Sequence, residues 1–122
     1  VVKYWAVVDD LAANPTKSLN LLDPVARDQA RAQMQTLLGT YAAKGLTQTG
    51  TSSLTDLQAT TDDGKSFTVT ACVDVSGVDL VNEQGVSQVN PDRPEQQSFS
   101  YTVVKADGGF FVTRDSLKGS SC

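Results

Sequence analysis

The spacing of apolar residues changes once along the chain, at Gly45, from a helical period to a strand period. Before this glycine, apolar residues recur three or four positions apart, which places them on one face of a helix. After it, apolar and polar residues alternate, which is typical of strands with one buried and one wet face. This order predicts an α+β fold in which N-terminal helices pack on one face of a curved antiparallel sheet.

Two helices are predicted before Gly45. The first ends at Asn14-Pro15, because the residue before a proline is pushed out of the helical region. Its apolar face consists of Val1, Tyr4, Trp5, Val8, Leu11 and Ala12. Residues 19–22 are leucine-rich and predict a single helical turn.

The second helix is predicted to begin at Asp23-Pro24, where Asp supplies a capping oxygen and Pro suits the first helical position. It is predicted to end at Lys44-Gly45, with a cation in the last turn and a glycine for the left-handed cap. Its buried stripe is expected to contain Ala30, Met34, Leu37, Leu38 and Tyr41.

The strand region begins with two threonine-rich strands, 46–51 and 54–61, and a hairpin turn at 62–64. In the next and clearest strand, Cys72 and Asp74 should face away from the core. The residues expected to face the core are Phe67, Val69, Ala71, Val73 and Val75. The remaining elements are predicted as a bend at 76–77, a small hairpin around 82–85, a loop at 90–94, strands at 97–105 and 110–114, and a tail from 116 to 122.

Composition excludes several classes of function. The net charge is −4, and the ten Lys and Arg residues are scattered singly, so no basic stripe exists for nucleic acid. The chain has no histidine, the commonest general base and metal ligand, so we expect no metal and no cofactor. The chain contains no run of eighteen apolar residues, so no membrane span is predicted in this segment. A length of 122 residues predicts one domain, 1–122.

The two cysteines, Cys72 and Cys122, are predicted to form a structural disulfide. Cys72 lies on the outer side of its strand, where a free thiol would be open to oxidation, and Cys122 ends a Gly/Ser tail with little else to anchor it. The alternative is two unrelated thiols. A disulfide favours an oxidising compartment.

Four aromatic residues are the candidates for a ligand pocket, namely Tyr4, Trp5, Tyr41 and Tyr101. Their rings would give an apolar lining and their OH and NH groups a few polar tips, which suits a hydrophobic small molecule or a side chain of a partner protein. The alternative is that they fill the core.

No catalytic residues are predicted. Asp9 and Asp10 are adjacent on a helix and point about 100° apart, so they cannot face each other across a substrate, and a solvated surface is expected. Asp62-Asp63-Gly64 lacks the further oxygen ligands of a calcium loop and is interpreted as a turn. Asp56 and Asp74 have no identifiable partner. Without histidine, serine pairs such as Ser52-Ser53 cannot form a hydrolase triad of the usual kind.

The order of elements resembles the nuclear transport factor 2-like superfamily, also described as cystatin-like α+β or SnoaL-like. More narrowly, segments 4–10, 18–26 and 70–75 resemble actinobacterial lipoproteins and secreted proteins. The resemblance covers nearly the whole chain. It implies a cone-shaped fold and an extracytoplasmic location, either secreted or anchored to the cell envelope by an upstream lipid or transmembrane segment.

The same cone occurs in ketosteroid isomerases and polyketide cyclases, and in periplasmic assembly domains of type IV secretion and conjugation machines. A fold of this kind does not decide function. We therefore expect a non-catalytic extracytoplasmic domain that binds an apolar small molecule or an envelope protein. The alternatives are a small cyclase or isomerase that uses the cone pocket, and an assembly subunit of a secretion or conjugation apparatus.

Overall fold

The computed structural model describes residues 1–122 and contains two α-helices, a short 3₁₀ turn and six strands. The helical elements are α1 (Val2–Ala13), the 3₁₀ turn (Leu19–Leu22) and α2 (Asp28–Ala43). The strands are β1 (Thr47–Thr49), β2 (Ser53–Thr61), β3 (Ser66–Asp74), β4 (Asp79–Val81), β5 (Gln96–Ala106) and β6 (Gly109–Gly119). An antiparallel sheet has the order β2-β3-β5-β6, and β1 pairs with β4 separately. The predicted α+β arrangement is confirmed.

The core lies between the two helices and one face of the four-stranded sheet. It consists of thirteen buried side chains that form one cluster. The helices and the loop before α2 contribute Tyr4, Val8, Leu11, Ala12, Leu22, Ala26, Ala30, Met34 and Leu38, and the sheet contributes Ala71, Tyr101, Val103 and Val112. Each fully buried large apolar side chain in such a cluster contributes about 1.5–3 kcal/mol. Leu37, predicted to be buried, is instead 37% exposed, because it lies at the edge of the α2 stripe.

The second helix begins four residues later than predicted, with Asp28 rather than Pro24 as its first residue. The intervening segment bonds to the last strand: Arg27 N donates to Val112 O, and Val112 N donates to Val25 O. This bridge uses backbone groups that a helix starting at Pro24 would have engaged internally. The predicted end is confirmed, since α2 stops at Ala43 and Gly45 adopts a φ of 68°.

The last strand is longer than predicted. It extends from Gly109 to Gly119, whereas the sequence indicated a strand at 110–114 and a tail from residue 116. Pairing with β5 holds the extension in place, since Ser100 lies opposite Ser116 and Phe99 opposite Leu117. The gain of paired backbone groups outweighs the weak strand propensity of this polar segment.

The predicted disulfide joins Cys72 on β3 to Cys122, with the two Cα atoms 5.9 Å apart. Cys72 lies outside the core cluster, on the opposite side of the strand from Ala71, as its position in the alternation predicted. It is nevertheless buried. The bond therefore attaches the C-terminal tail to the outer face of the sheet.

Candidate ligand-binding cleft

A buried hydrogen-bonded pair, Tyr4 and Asp115, links α1 to the sheet. The Tyr4 hydroxyl donates to Oδ2 of Asp115 at 2.7 Å, and Asp115 is only 2% exposed. Oδ1 of Asp115 has no hydrogen-bond partner. Burial raises the pKa of Asp115, although the hydrogen bond from Tyr4 opposes the rise. Burial, followed by the nearby Asp115 charge, raises the pKa of Tyr4, so the phenol keeps its proton.

A second hydrogen bond joins Trp5 to Tyr101, whose hydroxyl accepts from the indole Nε1 at 2.7 Å. Burial raises the pKa of Tyr101, and the bond from Trp5 acts in the opposite direction. The rings of Tyr4 and Tyr101 meet edge to face at 6.2 Å, and Phe99 stacks on Tyr101 at 5.9 Å. Such aromatic pairs add about 0.5–1.5 kcal/mol each beyond the area they bury.

The four candidate pocket residues therefore do not converge on one cavity. Tyr4, Trp5 and Tyr101 lie together in a packed aromatic group, in which the polar tips of Tyr4 and Trp5 reach partners inside the protein. Tyr41 is half-buried near the end of α2, packs against the core separately, and makes no side-chain hydrogen bond. Burial raises the pKa of Tyr41, and the nearby Arg93 charge lowers it.

An open apolar cleft of about 620 Å³ lies at the end of the molecule where α1 begins and the β5–β6 turn closes. Eleven of its fifteen lining residues are apolar, and none is an aspartate or glutamate. They are Val1 to Tyr4 from the start of α1, Pro24 and Val25 from the loop before α2, Leu57 and Ala59 from β2, Phe67 and Val69 from β3, Val103 from β5, and Gly108 to Phe110 and Val112 around the last turn. Pockets that hold small ligands commonly measure about 300–1,000 Å³.

The inner wall and the rim of this cleft differ in exposure. Val103 and Val112 are buried and belong to the core cluster. At the rim, Val2, Leu57 and Phe110 are 58%, 44% and 57% exposed. Three large apolar side chains exposed around one concave surface are more than the scattered single exposures normal for a protein surface. The arrangement can bury an apolar group that enters from solvent.

Polar groups at the cleft are few. Lys3 is its only charged side chain, and Tyr4 is the only other lining residue with a polar side chain. The Tyr4 hydroxyl is directed to Asp115, which does not line the cleft. Asp107, beside the lining residue Gly108, is paired with Arg27 at 2.9 Å.

Asp9, expected on the solvated surface of α1, is buried, with 8% exposed. Its Oδ1 accepts from Gln48 Nε2 at 2.8 Å and from the Ser52 hydroxyl, and its Oδ2 accepts from Ser52 N at 3.0 Å. The expectation was wrong because it considered the helix alone, whereas the segment after β1 folds over this side of α1. Asp10 is exposed and pairs with Lys17 at 2.9 Å, as a solvated residue would.

The remaining acidic candidates have structural roles. Asp63 Oδ1 accepts from the backbone N–H groups of Lys65 and Ser66, so the 62–64 segment is a turn, as predicted. These bonds lower the pKa of Asp63. Hydrogen bonds from Ser76 lower the pKa of Asp74. Asp56 lies in an irregularity of β2, with a φ of 54°. No group of three or more potential metal-ligating His, Cys, Asp or Glu side chains occurs in the fold.

Sequence reasoning did not find Asp115 or the cleft. Asp115 faces the interior because the register of β6 shifts between the partners of Thr102 and Val103, which turns both Val112 and Asp115 inward although they are three residues apart. Strict alternation cannot produce this spacing. The cleft combines side chains from six separate segments, whose proximity no local pattern reveals.

The chain is similar in fold to several solved structures. No protein-family model matches it, and no curated protein matches it in sequence. The intermembrane space region of the chloroplast protein ARC6 superposes with a TM-score of 0.67 at 19% identity, over 95% of this chain and 89% of that one. Aln2 from a Streptomyces species superposes with a TM-score of 0.59 at 11% identity, over 96% of this chain and 85% of that one. A protein from Novosphingobium aromaticivorans superposes with a TM-score of 0.57 at 16% identity, over 97% of this chain and 90% of that one.

At these identities the likeness concerns the fold alone. The helices on one face of a curved antiparallel sheet match these neighbours, so the predicted nuclear transport factor 2-like fold is confirmed. None of the helices is long and apolar enough to cross a membrane. The disulfide suggests an oxidising, extracytoplasmic environment.

Proposed function

We propose that this protein is a non-catalytic extracytoplasmic binding domain that holds an apolar small molecule in the cleft at the open end of its cone. The observation that carries the proposal is the cleft itself: about 620 Å³, mostly apolar, and without a carboxylate in its lining. Its exposed rim of Val2, Leu57 and Phe110 is unfavourable in water unless something covers it.

Binding without turnover is favoured because the polar side chains behind the cleft are hydrogen-bonded to each other and do not face a substrate. A cyclase or isomerase of this fold needs a carboxylate base and a hydrogen-bond donor that face the substrate. Here Asp115 and the Tyr4 hydroxyl bond to each other behind the lining. Trp5 and Tyr101 likewise bond to each other. Tyr4, Trp5 and Tyr101 then act mainly by packing behind the inner wall, where Tyr4 contributes its ring, and Tyr41 lies apart near the end of α2.

Location outside the cytoplasm is supported by the disulfide between Cys72 and Cys122, because such bonds persist in oxidising compartments. An upstream lipid or transmembrane anchor and a relation to actinobacterial lipoproteins belong to the same proposal. An envelope protein is the competing occupant of the cleft. In that case one of its apolar side chains would take the place of the small molecule, as expected for an assembly subunit.

The direct test is a calorimetric titration with straight-chain alcohols of six to twelve carbons. Each added CH₂ that is buried contributes about 0.8 kcal/mol, so affinity should rise about fourfold per carbon until the cleft is filled. Affinity that does not depend on chain length, or an absence of binding throughout the series, would contradict the proposal.

A matched pair of variants locates the binding. Ala59→Trp places a large ring in the cleft from an exposed position on the edge strand β2 and should reduce affinity for decan-1-ol at least tenfold. Thr60→Trp adds the same ring one residue later, on the opposite face of the strand, and should leave affinity unchanged. Equal effects of the two substitutions would place the binding elsewhere.

A further inference from the structure

We infer that the ligand of the cleft is an amphiphile with an anionic head, a medium- or long-chain carboxylate, whose head group pairs with Lys3. This inference rests on the proposed function and adds the chemical class of the ligand. The cleft is open on one side, so a chain buried against Val69 and Val103 would leave its polar end at the mouth.

Charge at the mouth selects the sign of that polar end. Lys3 is the only charged side chain that lines the cleft, and no carboxylate lies within salt-bridge distance of it. Asp107, which precedes the lining residue Gly108, is occupied by Arg27 at 2.9 Å. In a chain with a net charge of −4, an unpaired cation beside an apolar cleft is a local reversal of sign that complements an anion.

The number and kind of cations favour a carboxylate over a phosphate. A phosphate head group at neutral pH is bound best by an arginine fork or by several donors together. The guanidinium of Arg27, the arginine at this end of the molecule, is already engaged by Asp107 and stacks over Phe111 at 3.6 Å. One lysine supplies one positive charge, which matches a monoanion. Its aliphatic stem can lie along the apolar rim while the ammonium stays in water.

The test compares decanoate, decan-1-ol and decyl phosphate, ligands of equal chain length, by calorimetry at pH 7.5 and low salt. All proteins carry an acetylated N-terminus, because the amino group of Val1 lies at the same mouth and would add its own charge. An exposed ion pair contributes little, so decanoate should bind about two- to fivefold more tightly than decan-1-ol. The preference should shrink as salt is added.

Lys3→Gln should abolish the preference for decanoate, measured as the ratio of the affinities for decanoate and decan-1-ol in the same variant. Lys118→Gln, at the far end of β6 from the cleft, removes the same charge and should change neither affinity. Persistence of the preference in Lys3→Gln, or its loss in Lys118→Gln, would overturn the role of Lys3.

The outcomes separate the two proposals. Equal binding of decanoate and decan-1-ol to the wild type refutes the anionic head group but leaves an apolar ligand in place. Binding of decyl phosphate at least tenfold more tightly than decanoate refutes the carboxylate. Failure of all three ligands to bind, together with concentration-dependent self-association through the rim, refutes the proposed function itself.

Discussion

Asp115 places a carboxyl group inside the protein at a position where charge is unfavourable. Its Oδ2 accepts from Tyr4, its Oδ1 has no partner, and its backbone N–H donates to the Gln29 side chain. A proton on the carboxyl group removes the cost of burying the charge. The folded protein therefore holds this group more easily in its neutral form.

The stability contributed by Asp115 should depend on pH. Because its folded-state pKa is raised above the unfolded value of 3.8, the contribution is fully present below that value and is lost as pH rises through the folded pKa. In Asp115→Asn, the contribution of this carboxyl group to the pH dependence of stability disappears. The unfolding free energy of the wild type should therefore fall relative to the variant on going from pH 3 to pH 8. The fall is about 1.4 kcal/mol for every unit that separates the two pKa values.

Urea unfolding between pH 3 and pH 8 measures this difference. Asp92→Asn makes the same chemical change in an exposed loop and serves as the control, for which no such trend is expected. A difference between the wild type and Asp115→Asn that stays constant over this range, or that grows in favour of the wild type at high pH, would contradict the account of Asp115.

Among the elements, the loop after β1 and the loop after β3 lie against each other through a close contact of their backbones. Gly50, between β1 and β2, adopts a φ of 73°, and a Cβ atom at this position would lie 1.8 Å from the carbonyl oxygen of Gly77. No side chain fits there. This contact brings the loop after β1 against the loop after β3, and the bond between Asp9 and Ser52 holds the segment between β1 and β2 against α1.

Gly50→Ala should therefore be more damaging than an alanine at another glycine of the same conformation. Gly64 also has a φ of 73° but has open space around it, so Gly64→Ala should cost only the backbone term, about 1–2 kcal/mol. Gly50→Ala should cost about 2 kcal/mol or more beyond that, because backbone must move to relieve the clash. Chemical denaturation of both variants tests this comparison, and equal losses would show that the loops separate freely.

The elements also show what could be predicted from sequence and what could not. The end of α2 at Gly45 and the turn at 62–64 depend on local chemistry, and both were predicted. The start of α2 depends on a bridge to β6 and the length of β6 depends on its pairing with β5, and both predictions were wrong. In the site, periodicity indicated that Tyr4, Trp5 and Tyr101 face inward. It could not indicate that Tyr4 bonds to a residue 111 positions away.

For the molecule as a whole, the disulfide closes one long covalent loop. Cys72 and Cys122 are 50 residues apart, and a loop of this length corresponds to about 4 kcal/mol in the chain-entropy model. Its reduction should lower the Tm by about 12–20 °C. The oxidised protein should weigh two hydrogens less than the reduced form by mass spectrometry.

The matched control for this prediction is Cys72→Ala/Cys122→Ala, whose Tm should not respond to reductant. Source matters, so the protein should be isolated from an oxidising compartment. An unchanged Tm of the wild type on reduction would show that the bond does not stabilise the fold.

Methyl NMR during titration with decan-1-ol shows directly whether the cleft binds an apolar ligand. We expect progressive shifts of the methyl signals of Val69, Val103 and Val112, with intermolecular contacts to the decyl chain. Leu37 and Val86, exposed and outside the cleft, should not shift. Because the domain binds without turnover, the ligand should be recovered chemically unchanged after prolonged incubation. Shifts confined to Leu37 and Val86, or no shifts at saturating ligand, would contradict the claim.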